Sequence, residues 1–209
     1  RPVLLTFGPQ YFKNATDWDK LTADLEPPPA LVTLDKHTES AGIGSFPWPP
    51  MHNSRNGVLT RETLIGYLEG FYRRAESWDY LVAGAFPGFH DIYAEAEVGS
   101  SYGYLDPQEG ETFRLTLDLA LAERPDVIQL ITWNDYGEGT IIEPTEQFGT
   151  RYLEMVQQVR QETDAEGFAF EAEDLTLPLQ LLEARRAYQG DEAVNAQLDE
   201  AFDAIIDGA

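Results

Sequence analysis

The chain has 209 residues, with a hydrophobic share of 43% and an aromatic share of 12%, which fit a globular protein with a real core. It carries 37 acidic and 14 basic residues, a formal charge of -23, so it repels phosphate backbones and anionic lipid. The absence of cysteine excludes disulfides and thiolate metal sites. No apolar run approaches the roughly 20 residues of a membrane span. Composition thus predicts no nucleic-acid partner and no membrane-spanning segment, and it allows a neutral ligand.

Four apolar runs in the sequence predict buried strands. Each run is continuous instead of alternating between apolar and polar residues, which is typical of parallel strands covered on both faces. Each run also ends in a group of polar or aromatic residues. The four predicted strands cover residues 2–7, 30–35, 79–86 and 126–133.

Helical patterns separate the predicted strands. Thr60 can cap a helix whose apolar residues recur at three- and four-residue spacings. Past Asp164 two further patterns, divided by Gly190, predict a helical hairpin. Beyond a short helix between the first two strands, the predicted helices cover residues 60–78, 111–123, 146–163, 177–188 and 192–206.

The alternation of strands and helices predicts an α/β fold with parallel strands. Four β/α units are half of an eight-fold barrel, and a small open sheet is the alternative. Functional residues at the ends of all four strands favour the barrel, because an open sheet would concentrate them at one switch point. We therefore predict half of a (β/α)8 TIM barrel over residues 1–164. A helical extension packed on the barrel is predicted over residues 165–209.

The densest strand end reads "TWNDYGEGTIIEP" and covers residues 132–144. Its two carboxylates, Asp135 and Glu138, can divide acid and base duties if their surroundings separate their pKa values. The flanking side chains suit a sugar ring, since aromatic faces stack on it and an amide bonds its hydroxyls. These side chains are Trp133, Tyr136 and Asn134. As a structural alternative, Asp135 caps the turn and Glu138 lies in solvent.

This loop resembles the signature of glycoside hydrolase family 99, the endo-α-mannosidases, which reads Asn-Glu-Trp-His-Glu-Gly-Thr. It is also similar to family 71, the α-1,3-glucanases, whose loop reads Trp-Asn-Asp-Tyr-Gly-Glu. The resemblance covers most of the chain. It implies that the chain is the C-terminal portion of a (β/α)8 barrel, since the chain aligns with the second half of the family barrel. It extends to "FGPQYF", "GSFPWPP", "FPGFHD", "ALAERPDVIQLITWND" and the tail "LDEAFDAIIDG".

The resemblance implies a glycosidase that cleaves an α-glucan or α-mannan with two carboxylates and without a metal or organic cofactor. Carried over by position, Glu138 is the general acid and Asp135 the general base. In family 99 the base is a Glu that deprotonates the 2-hydroxyl of the sugar, with retention, whereas in family 71 an Asp activates water, with inversion. The shorter Asp favours inversion, and both outcomes stay open. Phe89 replaces the family 99 tyrosine, so endo-mannosidase specificity is not transferred.

Other strand ends supply candidate sugar contacts. Trp48 lies among prolines and can serve as a sugar platform or pack its loop down. His90 and Asp91 can contact substrate or make structural hydrogen bonds. Gln10 and Tyr11, at the end of the first strand, would face the same cleft.

Two further expectations concern metals and partners. Asp35, His37 and Glu39 alternate in a pattern that could bind a metal, although such residues more often line a polar cleft. The chain begins at Arg1, directly before a strand, so we expect it to be a piece of a longer protein. The expected partners are a neutral oligo- or polysaccharide and the missing N-terminal half of the barrel. A non-catalytic carbohydrate-binding protein that keeps the cleft is the alternative function.

Overall fold

The structure is a computed structural model that describes residues 1–8, 14–35, 42–164 and 167–207. The chain divides into two compact units, residues 1–142 and residues 143–209. The domain boundary predicted between residues 164 and 165 lies within the second unit and stays a prediction.

Parallel strands form the main sheet of the first unit. Five strands pair side by side and all parallel, in the order in which they occur along the chain, and helices follow the first, third and fourth of them. The predicted partial (β/α)8 barrel is thereby confirmed. In chain order the strands are β1 (Val3–Thr6), β2 (Ala30–Leu34), β3 (Gly42–Phe46), β4 (Tyr80–Ala85), β5 (Phe89–His90), β6 (Tyr104–Leu105), β7 (Val127–Leu130), β8 (Asn134–Asp135) and β9 (Thr140–Ile141).

The fifth parallel strand, β3, corrects the predicted count of four. Its sequence "GIGSF" contains two glycines, which are depleted in strands and hide the pattern. Gly44 has a structural reason, because an added Cβ would lie 1.8 Å from the carbonyl oxygen of Tyr80 on β4. The side chains of Thr33 and Ser45 are buried and hydrogen-bond between β2 and β3 at 3.3 Å. Trp48 consequently follows the third parallel strand and not the second.

The helices lie close to their predicted positions. The Thr60 side chain accepts a hydrogen bond from the backbone N–H of Thr63 at 3.2 Å, which confirms the predicted N-cap. The predicted start of the fourth helix at residue 146 is wrong, because a turn at Gly149 (φ 57°) delays it. The helices are α1 (Ala15–Thr22), α2 (Arg61–Ala75), α3 (Glu111–Ala122), α4 (Arg151–Thr163), α5 (Leu177–Ala187) and α6 (Glu192–Asp207).

The core of the first unit lies where α2 and α3 cover the sheet. Phe71 of α2 is fully buried and its cluster includes Phe86 and Ile131, the residues that follow β4 and β7. The Thr116 hydroxyl of α3 accepts from the backbone N–H of Phe86 at 3.1 Å and donates to the Phe86 carbonyl oxygen at 3.1 Å. The segments that follow both strands therefore begin in the packed core, and hydrogen bonds fix the segment after β4.

The second unit consists of α4, α5 and α6 with a short 3-10 turn at residues 172–176. The two predicted tail helices form as α5 and α6, and Arg185 bridges them with an ion pair to Asp199 at 2.7 Å. Within the described ranges, every helix is too short or too polar to cross a membrane. The packing of this tail on the barrel stays a prediction.

Candidate active site

The chain after β7 folds into a tight hairpin that carries both candidate carboxylates, with β8 and β9 paired antiparallel. The Thr132 hydroxyl donates to the carbonyl oxygen of Thr140 at 2.8 Å and accepts from the backbone N–H of Asp135 at 3.0 Å. Oδ1 of Asp135 accepts from the backbone N–H of Glu138 at 2.9 Å. The turn-capping bond expected of Asp135 in the structural alternative is therefore present.

The hairpin is attached to the segment after β4 through the main chain. The backbone N–H of His90 donates to the Glu138 carbonyl oxygen at 2.8 Å, and that of Ile92 donates to Gly137 at 3.0 Å. Gly139 has a φ of 67°, and an added Cβ would lie 2.8 Å from the His90 carbonyl oxygen. Only a glycine permits this approach, so the backbone at Glu138 has a fixed position.

The Glu138 carboxylate is half-buried and receives hydrogen bonds from two other segments. Nε1 of Trp48, which follows β3, lies 3.4 Å from Oε2. The Tyr93 hydroxyl, which follows β5, lies 3.2 Å from Oε1. Three segments that follow different strands thus meet at one carboxylate. The solvated position that the structural alternative gives to Glu138 is not observed.

Burial raises the pKa of the Glu138 carboxyl above its ordinary value, and the charges of Asp135 and Asp91 raise it further. The hydrogen bonds from Trp48 and Tyr93 favour the ionised form and lower the pKa, but burial dominates. Glu138 therefore keeps its proton to a higher pH than a solvated glutamate does. This property suits a general acid, which must hold a proton at the working pH.

Tyr93 is the site residue that the sequence reasoning missed. Burial, and then the neighbouring Glu138 charge, raises the pKa of its hydroxyl, so Tyr93 stays protonated and donates. It lies in a segment without helical or strand periodicity and far from Glu138 in sequence. The available sequence signal is its position, two residues after Asp91 at a strand end.

Asp91 is 4% exposed, and donors from a single loop surround its carboxylate. Oδ1 accepts from the backbone N–H of Tyr93 at 3.2 Å. Oδ2 accepts from the Ser101 hydroxyl at 3.0 Å and from the backbone N–H groups of Tyr102 and Gly103 at 2.7 and 3.3 Å. This arrangement favours the structural alternative for Asp91 over substrate contact.

The hairpin presents aromatic faces to solvent. Trp133 and Tyr136 are 53% and 56% exposed, and Asn134 between them is also exposed. The His90 ring is exposed and lies edge-on to the Tyr104 ring at 5.3 Å between centroids. Their role as sugar contacts stays a prediction.

The remaining predicted sugar contacts fall into two groups. Trp48 is partly buried, its ring edge-on to Phe7 at 4.9 Å between centroids. It therefore packs within the fold and also contacts Glu138, and its role as a sugar platform stays a prediction. Gln10 and Tyr11 lie outside the described residues.

The Asp35 carboxylate has protein partners. The Tyr67 hydroxyl donates to Oδ1 at 2.8 Å, and the Arg74 guanidinium lies 3.5 Å from the same atom. His37 and Glu39, the other members of the alternating pattern, lie outside the described residues. In the part of the chain that the structure describes, no group of three or more His, Asp or Glu side chains is arranged to hold a metal ion.

The chain is similar in fold to solved structures of a glycosidase. The GH99 endo-alpha-mannosidase from Bacteroides thetaiotaomicron matches with a TM-score of 0.53 and 17% identity, over 77% of this chain and 55% of that one. Its complex with BIS-TRIS-Propane gives 0.47 and 18%, over 67% and 47%. The chain has a family 99-like barrel fold. It spans about half the length of these structures. No protein-family model and no curated protein matches the sequence.

Proposed function

We propose that this chain carries the acid/base site of a glycosidase that cleaves α-linked glycans of the α-glucan or α-mannan type. The observation that carries the proposal is the half-buried Glu138 carboxyl, held by Trp48 and Tyr93 and with a pKa raised by burial. The family 99-like fold supports the reaction class, and the hairpin sequence supports the assignment of the two carboxylates. An endo-α-mannosidase specificity is not included, because Phe89 lacks the family hydroxyl.

Glu138 acts as the general acid, which protonates the departing glycosidic oxygen. Asp135 acts as the general base, towards water or towards the 2-hydroxyl of the sugar. Because the Asp135 charge raises the pKa of Glu138, an ionised base helps to keep the acid protonated. The coupling is reciprocal, and it is the burial of Glu138 that supports the two roles in that order.

The exposed hairpin side chains Trp133, Asn134 and Tyr136 are proposed substrate contacts, with Trp48 and His90 beside them. Gln10 and Tyr11 stay predictions of the same kind. A neutral oligo- or polysaccharide fits the acidic chain, since it is not repelled by the charge of -23.

We also propose further barrel strands as a partner of β1. The side chains of Val3, Leu4 and Leu5 are 39–42% exposed although the strand is apolar. Additional β/α units would bury this surface and complete the barrel.

Leaving groups of different acidity test the role of Glu138. In the intact protein, Glu138→Gln should lower kcat for an unactivated α-glucan or α-mannan oligosaccharide by on the order of 10²–10⁴-fold. It should lower kcat far less for an α-glycosyl fluoride, because fluoride departs without a proton. Asp135→Asn should lower the rate for both substrates, since the base acts whatever the leaving group.

Glu95→Gln, at an exposed position on the segment that carries Tyr93, is the matched control and should retain wild-type rates. Near-normal hydrolysis of the unactivated substrate by Glu138→Gln would overturn the assignment.

A non-catalytic carbohydrate-binding protein is the second candidate. It is favoured by the bond from the Glu138 backbone to Oδ1 of Asp135, which gives that carboxylate a structural task. Calorimetry on a panel of α-glucans and α-mannans, with product analysis of the same samples, separates the two functions. Binding without cleavage by the intact protein supports this candidate and contradicts the enzyme.

A further inference from the structure

The buried Asp91 carboxylate and the segment that follows it, residues 91–103, form a closed loop. Its four donors come from Tyr93 at one end and from Ser101, Tyr102 and Gly103 at the other. One carboxylate thus ties both ends of the loop together. A buried, charged acceptor makes stronger hydrogen bonds than a neutral one, and leaving backbone N–H groups without it is costly.

The loop closed by Asp91 adds to the main-chain bond between Ile92 and Gly137 in holding Tyr93 in place. The backbone N–H of Tyr93 is bound directly to Oδ1, and its ring lies edge-on to the Tyr102 ring at 5.8 Å between centroids. Tyr102 is in turn held by the 2.7 Å bond from its backbone to Oδ2. The Tyr93 side chain is therefore fixed at both its backbone and its ring by contacts that depend on Asp91.

We propose that Asp91 is a positioning residue for Glu138: by closing the 91–103 loop it holds the Tyr93 hydroxyl at 3.2 Å from Oε1 of the Glu138 carboxylate. The positioning itself is a property of the resting protein. Its catalytic meaning rests on the proposed role of Glu138 as the acid.

Asp91 has two opposite influences on Glu138, and their signs make the proposal testable. Its negative charge raises the pKa of Glu138, whereas the Tyr93 hydrogen bond that it supports lowers that pKa. The Tyr93 bond has the larger influence of the two. Among the described residues, the other charged group that raises the pKa of Glu138 is Asp135, which none of the variants below alters.

The experiment is a carbon-13 titration of the Glu138 side-chain carboxyl in the full chain. The signal is assigned by its loss in Glu138→Gln. Four proteins are compared: wild type, Asp91→Asn, Tyr93→Phe and the double variant. We expect Tyr93→Phe to raise the pKa of Glu138, because the hydroxyl donor is gone.

Asp91→Asn should also raise the pKa in the wild-type background, since the loss of the Tyr93 bond outweighs the loss of the charge. In the Tyr93→Phe background the same substitution should lower the pKa, because only the charge is then removed. The sign of the Asp91→Asn shift therefore reverses between the two backgrounds. Equal pKa shifts in the two backgrounds would overturn the proposal, as they would mean that Asp91 acts through its charge alone.

Two further variants guard against misfolding. Asp126→Asn removes a carboxylate that accepts from the backbone N–H of Leu81 at 2.8 Å, at the amino ends of the strands, and should leave the titration unchanged. If Asp91→Asn does not fold, Ser101→Ala removes one donor from the loop and should raise the pKa in the same direction by less. If Ser101→Ala leaves both the Glu138 titration and the surroundings of Tyr93 as they are in the wild type, the proposal is overturned.

Activity provides a separate outcome. If Glu138 is the acid, Asp91→Asn should lower kcat on the order of tenfold with KM nearly unchanged, because Tyr93 and the acid are misplaced and binding surfaces are not. If the sign of the Asp91→Asn pKa shift reverses between the two backgrounds but the wild type hydrolyses no substrate, the positioning role of Asp91 is retained. The proposal that the protein is an enzyme is then contradicted. The two proposals therefore fail in distinguishable ways.

Discussion

The apolar centre of the first unit and the polar hairpin at the carboxyl ends of its strands differ in which side chains they bury. In the centre, Phe71, Phe86 and Ile131 have no exposed surface, and helices cover the sheet. At the edge, Glu138 is half-buried among donors and the aromatic side chains face solvent. The two regions are contiguous in sequence, since the core residue Ile131, which follows β7, directly precedes the hairpin.

Stability and the proposed chemistry thus depend on adjoining segments, with Glu138 seven residues after Ile131. The centre gains free energy from buried apolar area, roughly 25 cal/mol per Å². The hairpin instead keeps the Glu138 carboxyl in surroundings that disfavour its charge. This costs stability and raises the pKa of that carboxyl. Substitutions in the two regions should therefore move different observables.

Phe71→Ala should have the largest effect on stability. It removes a fully buried ring that lies edge-on to Trp78 at 5.3 Å between centroids, and the expected loss is about 3–5 kcal/mol of unfolding free energy. Denaturant titration followed by circular dichroism measures it. Phe202→Ala, at a half-exposed position, is the control and should lose roughly 1 kcal/mol or less. Equal losses in the two variants would contradict the assignment of Phe71 to the core.

Thr60→Ala should have an intermediate effect. The substitution removes the side-chain oxygen that accepts from the backbone N–H of Thr63 and begins α2, and such caps contribute about 1 kcal/mol. Thermal unfolding measures the loss. Thr60→Ser keeps the oxygen and should restore most of the stability, whereas a loss equal to that of alanine would assign the effect to the methyl group.

Glu138→Gln should have the smallest effect on stability, and with the opposite sign at neutral pH. The pKa of Glu138 is raised in the folded state, so its ionised form costs stability above that pKa and the cost disappears as the pH falls through it. The variant should therefore equal or exceed the wild type in unfolding free energy at pH 7. The difference should shrink towards zero as the pH falls below the ordinary glutamate pKa. A gap that widens on acidification would contradict the raised pKa.

Much of the fold follows from local patterns in the sequence. The Thr60 cap, the helix at residues 111–122 and four of the five parallel strands each depend on a few neighbouring residues, and local rules predict them. The strand β3 escapes those rules because Gly44 is dictated by the approach of Tyr80, a contact between distant parts of the chain.

The candidate site is predictable only in part, for a related reason. Glu138 and Asp135 lie on one loop whose composition is conspicuous by itself. Tyr93 and Trp48 reach Glu138 from 45 and 90 residues away, so their role depends on how the strands are ordered. Asp91 shows the converse problem, because burial and four loop donors, invisible in the sequence, decide what its carboxylate does.

The attachment of the hairpin to the His90 segment has a consequence for how ligand preference can change. The two bonds that hold it, from His90 to Glu138 and from Ile92 to Gly137, join main-chain atoms and are indifferent to side-chain identity. The exposed rings of Trp133 and Tyr136 can therefore be exchanged without moving the acid. If the hairpin binds glycans as proposed, substitutions at these exposed positions would change ligand preference while the main chain at Glu138 stays in place.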